Sequence, residues 1–184
     1  MKWVVRVGIV VIGIPSLAIG LLMLGRFRPN RGHIVAEIEI DRPTAQVFPW
    51  ISQKDLILKW FGGLSEMAEI SPGTNGGKIG ERFHLTEFDR EEDVKLEMEM
   101  TVTDFVPNER LGMEIESVGD PDNGFVETAE YSLKSDDGHT QLTCEIHTKY
   151  HGRLPEVLEP FITAAARKKV ERDLARLKSL AEAQ

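Results

Sequence analysis

The sequence has 184 residues, one cysteine and a formal net charge of −8. This length suits one domain with a short appendage, and a single cysteine forms neither an internal disulfide nor a thiolate zinc site. All 30 acidic residues and 17 of the 22 basic residues lie in residues 33–184, which therefore carry a net charge of −13. Because such a domain would be repelled by phosphate backbones, we expect no nucleic-acid partner.

An apolar run occupies the N-terminal part of the chain. From Val7 to Gly25 no side chain is ionisable, and a helix over this run would reach roughly 28 Å, close to the thickness of the hydrocarbon layer of a bilayer. Trp3 and Phe27 lie where interfacial aromatic residues are common. The pattern predicts one membrane-spanning helix that contacts the bilayer through residues 3–25, within an anchor and linker of residues 1–32.

A cleaved signal peptide is the alternative interpretation of this run, because signal peptides also have a basic start before an apolar stretch. The run is long for a signal peptide, however, and Arg26–Arg31 follows it in place of a small-residue cleavage site. We therefore expect an uncleaved, single-pass membrane protein. Basic residues flank the run on both sides, so the charge rule assigns neither side of the membrane to the domain.

Residues 33–184 predict a strand, two short helices, further strands and a long helix. Apolar and charged residues alternate in the first strand, and two short apolar helical faces follow it. Turn residues then separate six more strands, whose spacing suits antiparallel hairpins. The predicted ranges are 34–40 for the first strand, 44–51 and 54–60 for the helices, and 66–70, 79–88, 94–105, 110–118, 125–134 and 140–150 for the other strands.

The last part of the chain predicts one long amphipathic helix. From Leu158 to Ala181 apolar residues recur at intervals of three and four. A curved antiparallel sheet has one face to bury, and this helix is its only long apolar partner, so we expect an α+β fold in which a seven-stranded sheet wraps around the helix. Ala164–Ala166 are small, which predicts an apolar cavity opposite the sheet, unless other side chains fill that space.

The inward positions of the strands and the helix provide the candidate ligand contacts. Methionine is common among them, and its flexible side chain suits the wall of an adaptable pocket. The outward positions are rich in glutamate, which we interpret as a solvated face. The candidate contacts are Trp60, Phe83, Leu96, Met98, Met100, Met113, Tyr131, Ile146, Phe161 and Ala165.

Three polar residues at inward positions are candidates for acid–base catalysis: Glu81, Glu127 and Tyr150. They would be structural instead if they lie at strand ends or if a bulge reverses the assumed direction of their side chains. The sequence contains no zinc-protease, nucleophile-elbow or phosphate-loop motif. His147 and His151 should diverge at the end of a strand, so we expect neither a metal ion nor a cofactor.

Four segments resemble one superfamily in sequence and in order: Ala36–Phe48, Leu58–Gly63, Gly77–Phe83 and Thr103–Leu111. With the order of the elements, they resemble the helix-grip fold of the START, birch-pollen-allergen and polyketide cyclase superfamily (SRPBCC) over residues 34–182. The segment around Trp60 is also similar to the branch related to the activator of the heat-shock ATPase. The resemblance implies a cavity for a hydrophobic ligand between sheet and helix, and it does not imply catalysis.

The leading interpretation is a membrane-anchored domain, residues 33–184, that binds a lipid or another hydrophobic small molecule and catalyses no reaction. One alternative is an enzyme similar to polyketide cyclases and dehydratases that uses an inward carboxylate. A second alternative is a regulatory protein-interaction module whose acidic outer face binds a partner protein.

Overall fold

A computed structural model describes residues 32–74, 77–89, 94–119, 124–151 and 153–183. In these residues the chain forms seven strands and three helices, in the predicted order. They are β1 (His33–Ile40), α1 (Thr44–Ser52), α2 (Lys54–Trp60), β2 (Leu64–Ser71), β3 (Arg82–Asp89), β4 (Val94–Val106), β5 (Arg110–Ser117), β6 (Phe125–Asp136), β7 (His139–Tyr150) and α3 (Arg153–Glu182).

The seven strands form one curved antiparallel sheet in the order β1-β7-β6-β5-β4-β3-β2. Strands β2 to β7 are joined to their neighbours in chain order, and β1 pairs with β7, as in the register pair Ile38 and Leu142. The turn between β6 and β7 uses Asp137 and Gly138, both with positive φ angles, as short hairpin turns require. The predicted α+β fold with a C-terminal helix against an antiparallel sheet is confirmed.

The core lies between the inward face of the sheet and the helices. Residues on alternate strand positions are buried, and α3 contributes Leu174, Leu177 and Ala181. Burying one leucine side chain contributes roughly 1.5–3 kcal/mol to stability. The α3 helix contacts β1, β7, α1 and α2, so it packs most closely against the edge of the sheet where β1 pairs with β7.

The two short helices are fixed to one another at one edge of the core. The indole Nε1 of Trp60 in α2 donates a hydrogen bond to the carbonyl oxygen of Trp50 in α1, at 2.7 Å. Both tryptophans are buried. Since a buried indole N–H without an acceptor would be costly, this bond fixes where Trp60 enters the space beneath the sheet.

The predicted membrane-spanning run, Val7–Gly25, lies outside the described residues. Among the helices of the described ranges, none combines the length and the apolar composition that crossing a bilayer requires.

Candidate functional site

A cavity of about 190 Å³ lies between the inward face of the sheet and the helices α2 and α3. Its walls are mostly apolar and come from all seven strands and all three helices of the described residues. An engineered apolar cavity of about 150 Å³ takes up benzene, so this space is large enough for a small apolar group. The region between sheet and helix is therefore not filled by side chains.

Seven of the ten candidate ligand contacts line this cavity. They share inward strand positions, except for Trp60 at the end of α2. These residues are Trp60, Leu96, Met98, Met100, Met113, Tyr131 and Ile146. Their position is as expected from the alternation of side chains along a strand, and ligand binding by them stays a prediction.

The other three candidates do not line the cavity. Phe83 is buried in the core beside it. Ala165 is exposed on α3, and Phe161 is 71% exposed, so the expectation that these two face the sheet is wrong. The reason is the phase of the helix: Ala166 and Val170 face the cavity, and at 100° per residue Phe161 lies on the far side of α3.

Glu127 is the one candidate catalytic residue that lines the cavity. Its Oε2 atom accepts a hydrogen bond from the hydroxyl of Thr148, at 2.9 Å. Burial raises the pKa of Glu127, while the Thr148 hydrogen bond and the charge of Lys169 act in the opposite direction. A carboxyl group in these surroundings can hold a proton at higher pH than an exposed one.

The other two candidate catalytic residues lie elsewhere. Glu81 precedes β3, its side chain is 15% exposed, and its carboxylate is 2.8 Å from Nζ of Lys78. Tyr150 is half-buried at the end of β7, where burial raises its pKa, and its ring packs near Phe125 at a centroid distance of 6.5 Å. Neither residue lines the cavity with Glu127.

Three charged residues that the sequence does not single out lie in the cavity wall with Glu127, and we call the four together the polar cluster: Glu87, Glu127, Lys169 and Asp173. The Lys169 Nζ atom is 3.4 Å from Glu87 Oε1 and 3.2 Å from Asp173 Oδ2. It also lies 4.0 Å from the centroid of the Phe61 ring. The sequence offers one sign of this cluster: Asp173 is a charged residue directly before Leu174, which lies on the apolar face of α3 and is buried.

Two glycines allow the turn after α2 to approach this cluster. A Cβ atom on Gly62 would lie 2.7 Å from Oδ1 of Asp173, and one on Gly63 would lie 3.0 Å from Oε1 of Glu87. Gly63 also has a φ angle of +88°, which other residues rarely adopt. The two glycines therefore let the backbone pass close to both carboxylates.

A separate group lies on the outward face of the sheet, and we call it the histidine–glutamate cluster: His33, Glu145 and His147. The Oε1 atom of Glu145 is 2.9 Å from Nε2 of His33 and 3.1 Å from Nε2 of His147. The two imidazoles are stacked, with centroids 4.2 Å apart, and they lower the pKa of Glu145. The sequence predicts that His147 and His151 diverge, and it does not point to His33, which only the register brings opposite His147.

Comparisons with known proteins identify the family. The model of the family described as polyketide cyclase / dehydrase and lipid transport matches residues 31–182, whereas the comparison with curated proteins found no match. The superfamily resemblance seen in the sequence is thereby confirmed.

Solved structures share the fold at low sequence identity. Protein CV1439 from Chromobacterium violaceum is 12% identical with a TM-score of 0.66, covering 82% of this chain and 97% of that one. A conserved protein from Geobacillus kaustophilus is 14% identical with a TM-score of 0.67, covering 81% and 94%. Ara h 8.0201 is 13% identical with a TM-score of 0.60, covering 83% and 98%. The chain belongs to the polyketide cyclase / dehydrase and lipid transport family.

Proposed function

We propose that this chain binds a lipid or another hydrophobic small molecule in the cavity between the sheet and α3, without catalysing a reaction. The observation that carries the proposal is the unfilled, mostly apolar space of about 190 Å³. Removing apolar surface of a guest from water there contributes roughly 25 cal/mol per Å². The family description, which includes lipid transport, supports the same class of ligand.

The proposal includes a membrane anchor formed by residues 3–25, which would make the chain a single-pass membrane protein. The short spacer Pro29–Gly32 would keep the binding domain near the bilayer, where apolar guests dissolve. Two exposed apolar side chains, Leu158 and Phe161, flank Glu159, whose carboxylate accepts a hydrogen bond from the backbone of Gly32 at 2.8 Å. Apolar surface beside the point where the linker joins the domain favours a position close to lipid.

Membrane attachment is tested by fractionating cells that produce the full chain. We expect the chain to stay with the membranes after washing with alkaline carbonate, and its intact mass to include residues 1–32. Release into the wash, or a mass that lacks the apolar run, would contradict the anchor.

Ligand binding is tested by native mass spectrometry of the full chain after extraction in a mild detergent. We expect a population with an additional mass that organic solvent removes and that is found neither in the detergent nor in a control membrane protein prepared in the same way. A chain that carries no such molecule, and that takes up none from a total lipid extract, would contradict the proposal.

A second candidate function is catalysis by Glu127 as a general acid or base, as in a cyclase or dehydratase. It is favoured by the position of Glu127 in the cavity and by its raised pKa, because a catalytic carboxyl group must be able to hold and release a proton near the working pH. The molecule found by mass spectrometry would be added back to the purified chain. Its conversion to a product, lost in Glu127→Gln while the molecule is still retained, would establish the enzyme and contradict the non-catalytic proposal.

A further inference from the structure

The polar cluster gives the cavity a charge. It brings three carboxyl groups and one ammonium group to the wall of an otherwise apolar space, from β3, β6 and α3. When all four are ionised, their formal charge is −2. Asp173 is buried and the side chains of Glu87 and Lys169 are at most 28% exposed, so solvent screens these charges less than it screens charges on an open surface.

The one cation of the cluster is already engaged. Lys169 Nζ lies between the carboxylates of Glu87 and Asp173, at 3.4 and 3.2 Å, and over the face of the Phe61 ring at 4.0 Å. A guest with a carboxylate would have to compete with two carboxylates already in place. Lys169 is therefore poorly suited to bind an anionic head group.

Glu127 differs from the other two acids because its hydrogen-bond donor is a neutral hydroxyl. Thr148 binds one carboxylate oxygen, Oε2, and the residue faces the cavity. A cationic group on a guest would gain a charge-assisted hydrogen bond there and offset part of the negative charge of the cluster. An anionic group would add to that charge.

We infer that the cavity prefers an apolar guest that carries a protonated amine over one that carries a carboxylate, with the amine placed against Glu127. The inference rests on the proposed function, since it assumes that the cavity binds an apolar guest. It names cationic amines, rather than free fatty acids, as the ligand class of the site.

The test compares three probes that share one ring and differ in one polar group: benzylamine, benzyl alcohol and benzoate. The full chain is placed in nanodiscs of zwitterionic lipid, and binding is measured by calorimetry at pH 7.5 against empty nanodiscs. We expect benzylamine to bind at least about tenfold more tightly than benzoate, with benzyl alcohol between them. The attraction between two opposite charges in close contact at a partly buried site is larger than the free energy that corresponds to a tenfold change in affinity.

Two variants locate the effect. Glu127→Gln removes one negative charge from the cavity and should reduce the preference for benzylamine, whereas Glu114→Gln removes one from the exposed outward face and should leave it unchanged. Benzoate binding as tightly as benzylamine to the unmodified chain would overturn the inference and leave the proposed function standing. Failure of all three probes to bind would overturn the inference, and the proposed function would fall with it only if native mass spectrometry also finds no bound molecule.

The histidine–glutamate cluster carries a second, independent inference. His33 and His147 are register partners on β1 and β7, and Glu145 precedes His147 by two residues, so all three side chains share the outward face. The two nitrogen–oxygen distances, 2.9 and 3.1 Å, are close to the spacing of roughly 3.0–3.4 Å between donors that lie about 2.1 Å from one metal ion. All three donor atoms lie within 4.8 Å of one another, and a rotation of the stacked imidazoles would direct both Nε2 atoms at one ion.

Repulsion between two carboxylates on the same face of the sheet also favours a bound cation. Glu130 is the register partner of Glu145 across β6 and β7, and like charges directly opposite one another destabilise a sheet. A bound cation would relieve this repulsion. Two imidazoles with one carboxylate form a donor set that suits zinc, copper and nickel.

We propose that His33, Glu145 and His147 bind one divalent transition-metal ion, with the remaining coordination positions open to solvent. The test is calorimetric titration of the full chain with Zn²⁺. We expect one ion to bind, and both His33→Ala and His147→Ala to weaken binding by at least about tenfold. His139→Ala, at the other end of β7, is the matched control and should bind Zn²⁺ as the unmodified chain does. Equal binding by all four proteins, or no binding at all, would overturn the proposal.

Discussion

Glu127 lies in the wall of the cavity, and its burial there makes the free energy of unfolding depend on pH. Burial raises the pKa of Glu127 above the ordinary value of 4.5. The unfolded chain therefore loses this proton at a lower pH than the folded chain does, and between the two pKa values the folded state binds more protons. Stability should fall as the pH rises from about 4.5 to the raised pKa, and Glu127→Gln should remove this part of the pH dependence.

The measurement is the thermal unfolding midpoint of the full chain between pH 4 and 8, for the unmodified chain and for Glu127→Gln. Thr148→Val supplies a control with a defined direction, because the Thr148 hydrogen bond holds the pKa of Glu127 down. Without that bond the fall in stability should extend to higher pH. Parallel curves for the unmodified chain and Glu127→Gln would show that this carboxyl group does not titrate differently on folding.

The sequence predicts the positions of some residues of the site and not of others. Glu127 shares a strand face with Ala129 and Tyr131, so alternation along β6 places it correctly. Glu81 follows the same rule with Phe83, but it lies before β3 begins, pairs with Lys78 and does not line the cavity. Lys169 and Asp173 are four residues apart on α3, so helical spacing alone makes them neighbours. Glu87 comes from β3, and only the tertiary structure brings it to Lys169.

The α3 helix shows what periodicity predicts about an element. Apolar residues recur from Leu158 to Ala181, but among the described side chains of α3 the buried apolar ones, Leu174, Leu177 and Ala181, all lie in the C-terminal half. In the other half Leu158 and Phe161 are exposed. Periodicity reports which residues share a face of a helix, and it does not report whether another element covers that face.

Two substitutions in α3 separate its two halves. Leu177 is completely buried, so Leu177→Ala should destabilise the chain by about 2–5 kcal/mol through lost contacts and a new cavity. Phe161 is largely exposed, so Phe161→Ala should change the free energy of unfolding by less than about 0.5 kcal/mol. Denaturant unfolding of both variants checks this. A loss for Phe161→Ala as large as that for Leu177→Ala would show that the first half of α3 is packed against something.

The start of β3 shows how one glycine determines where a strand begins. The alternating pattern predicts the strand from Ile79, whereas the structure begins it at Arg82. Gly80 has a φ angle of +85°, which extended strands do not use, and Ile79 is exposed. The apolar residue therefore belongs to the preceding turn, a distinction that composition alone does not make.

At the scale of the folded domain, residues 32–183, the sequence predicts the architecture better than the site. The order of elements, the antiparallel sheet and the C-terminal helix follow from periodicity and turn residues. The cavity was expected from Ala164–Ala166, yet only Ala166 of these lines it. Whether a space stays open depends on how far apart the packed elements lie, and that distance is set by the contacts of α3 with the sheet and with the two short helices.

The proposed function requires that the space between the sheet and α3 holds the guest. Two neighbouring residues of the helix test it: Ala166→Phe adds a ring inside the cavity, whereas Ala165→Phe adds the same ring to the exposed side of α3. We predict that native mass spectrometry of the full chain will find the co-purified hydrophobic molecule on the unmodified chain and on Ala165→Phe, and that Ala166→Phe, although folded, will lack it. Equal retention of the molecule by both variants would contradict the claim.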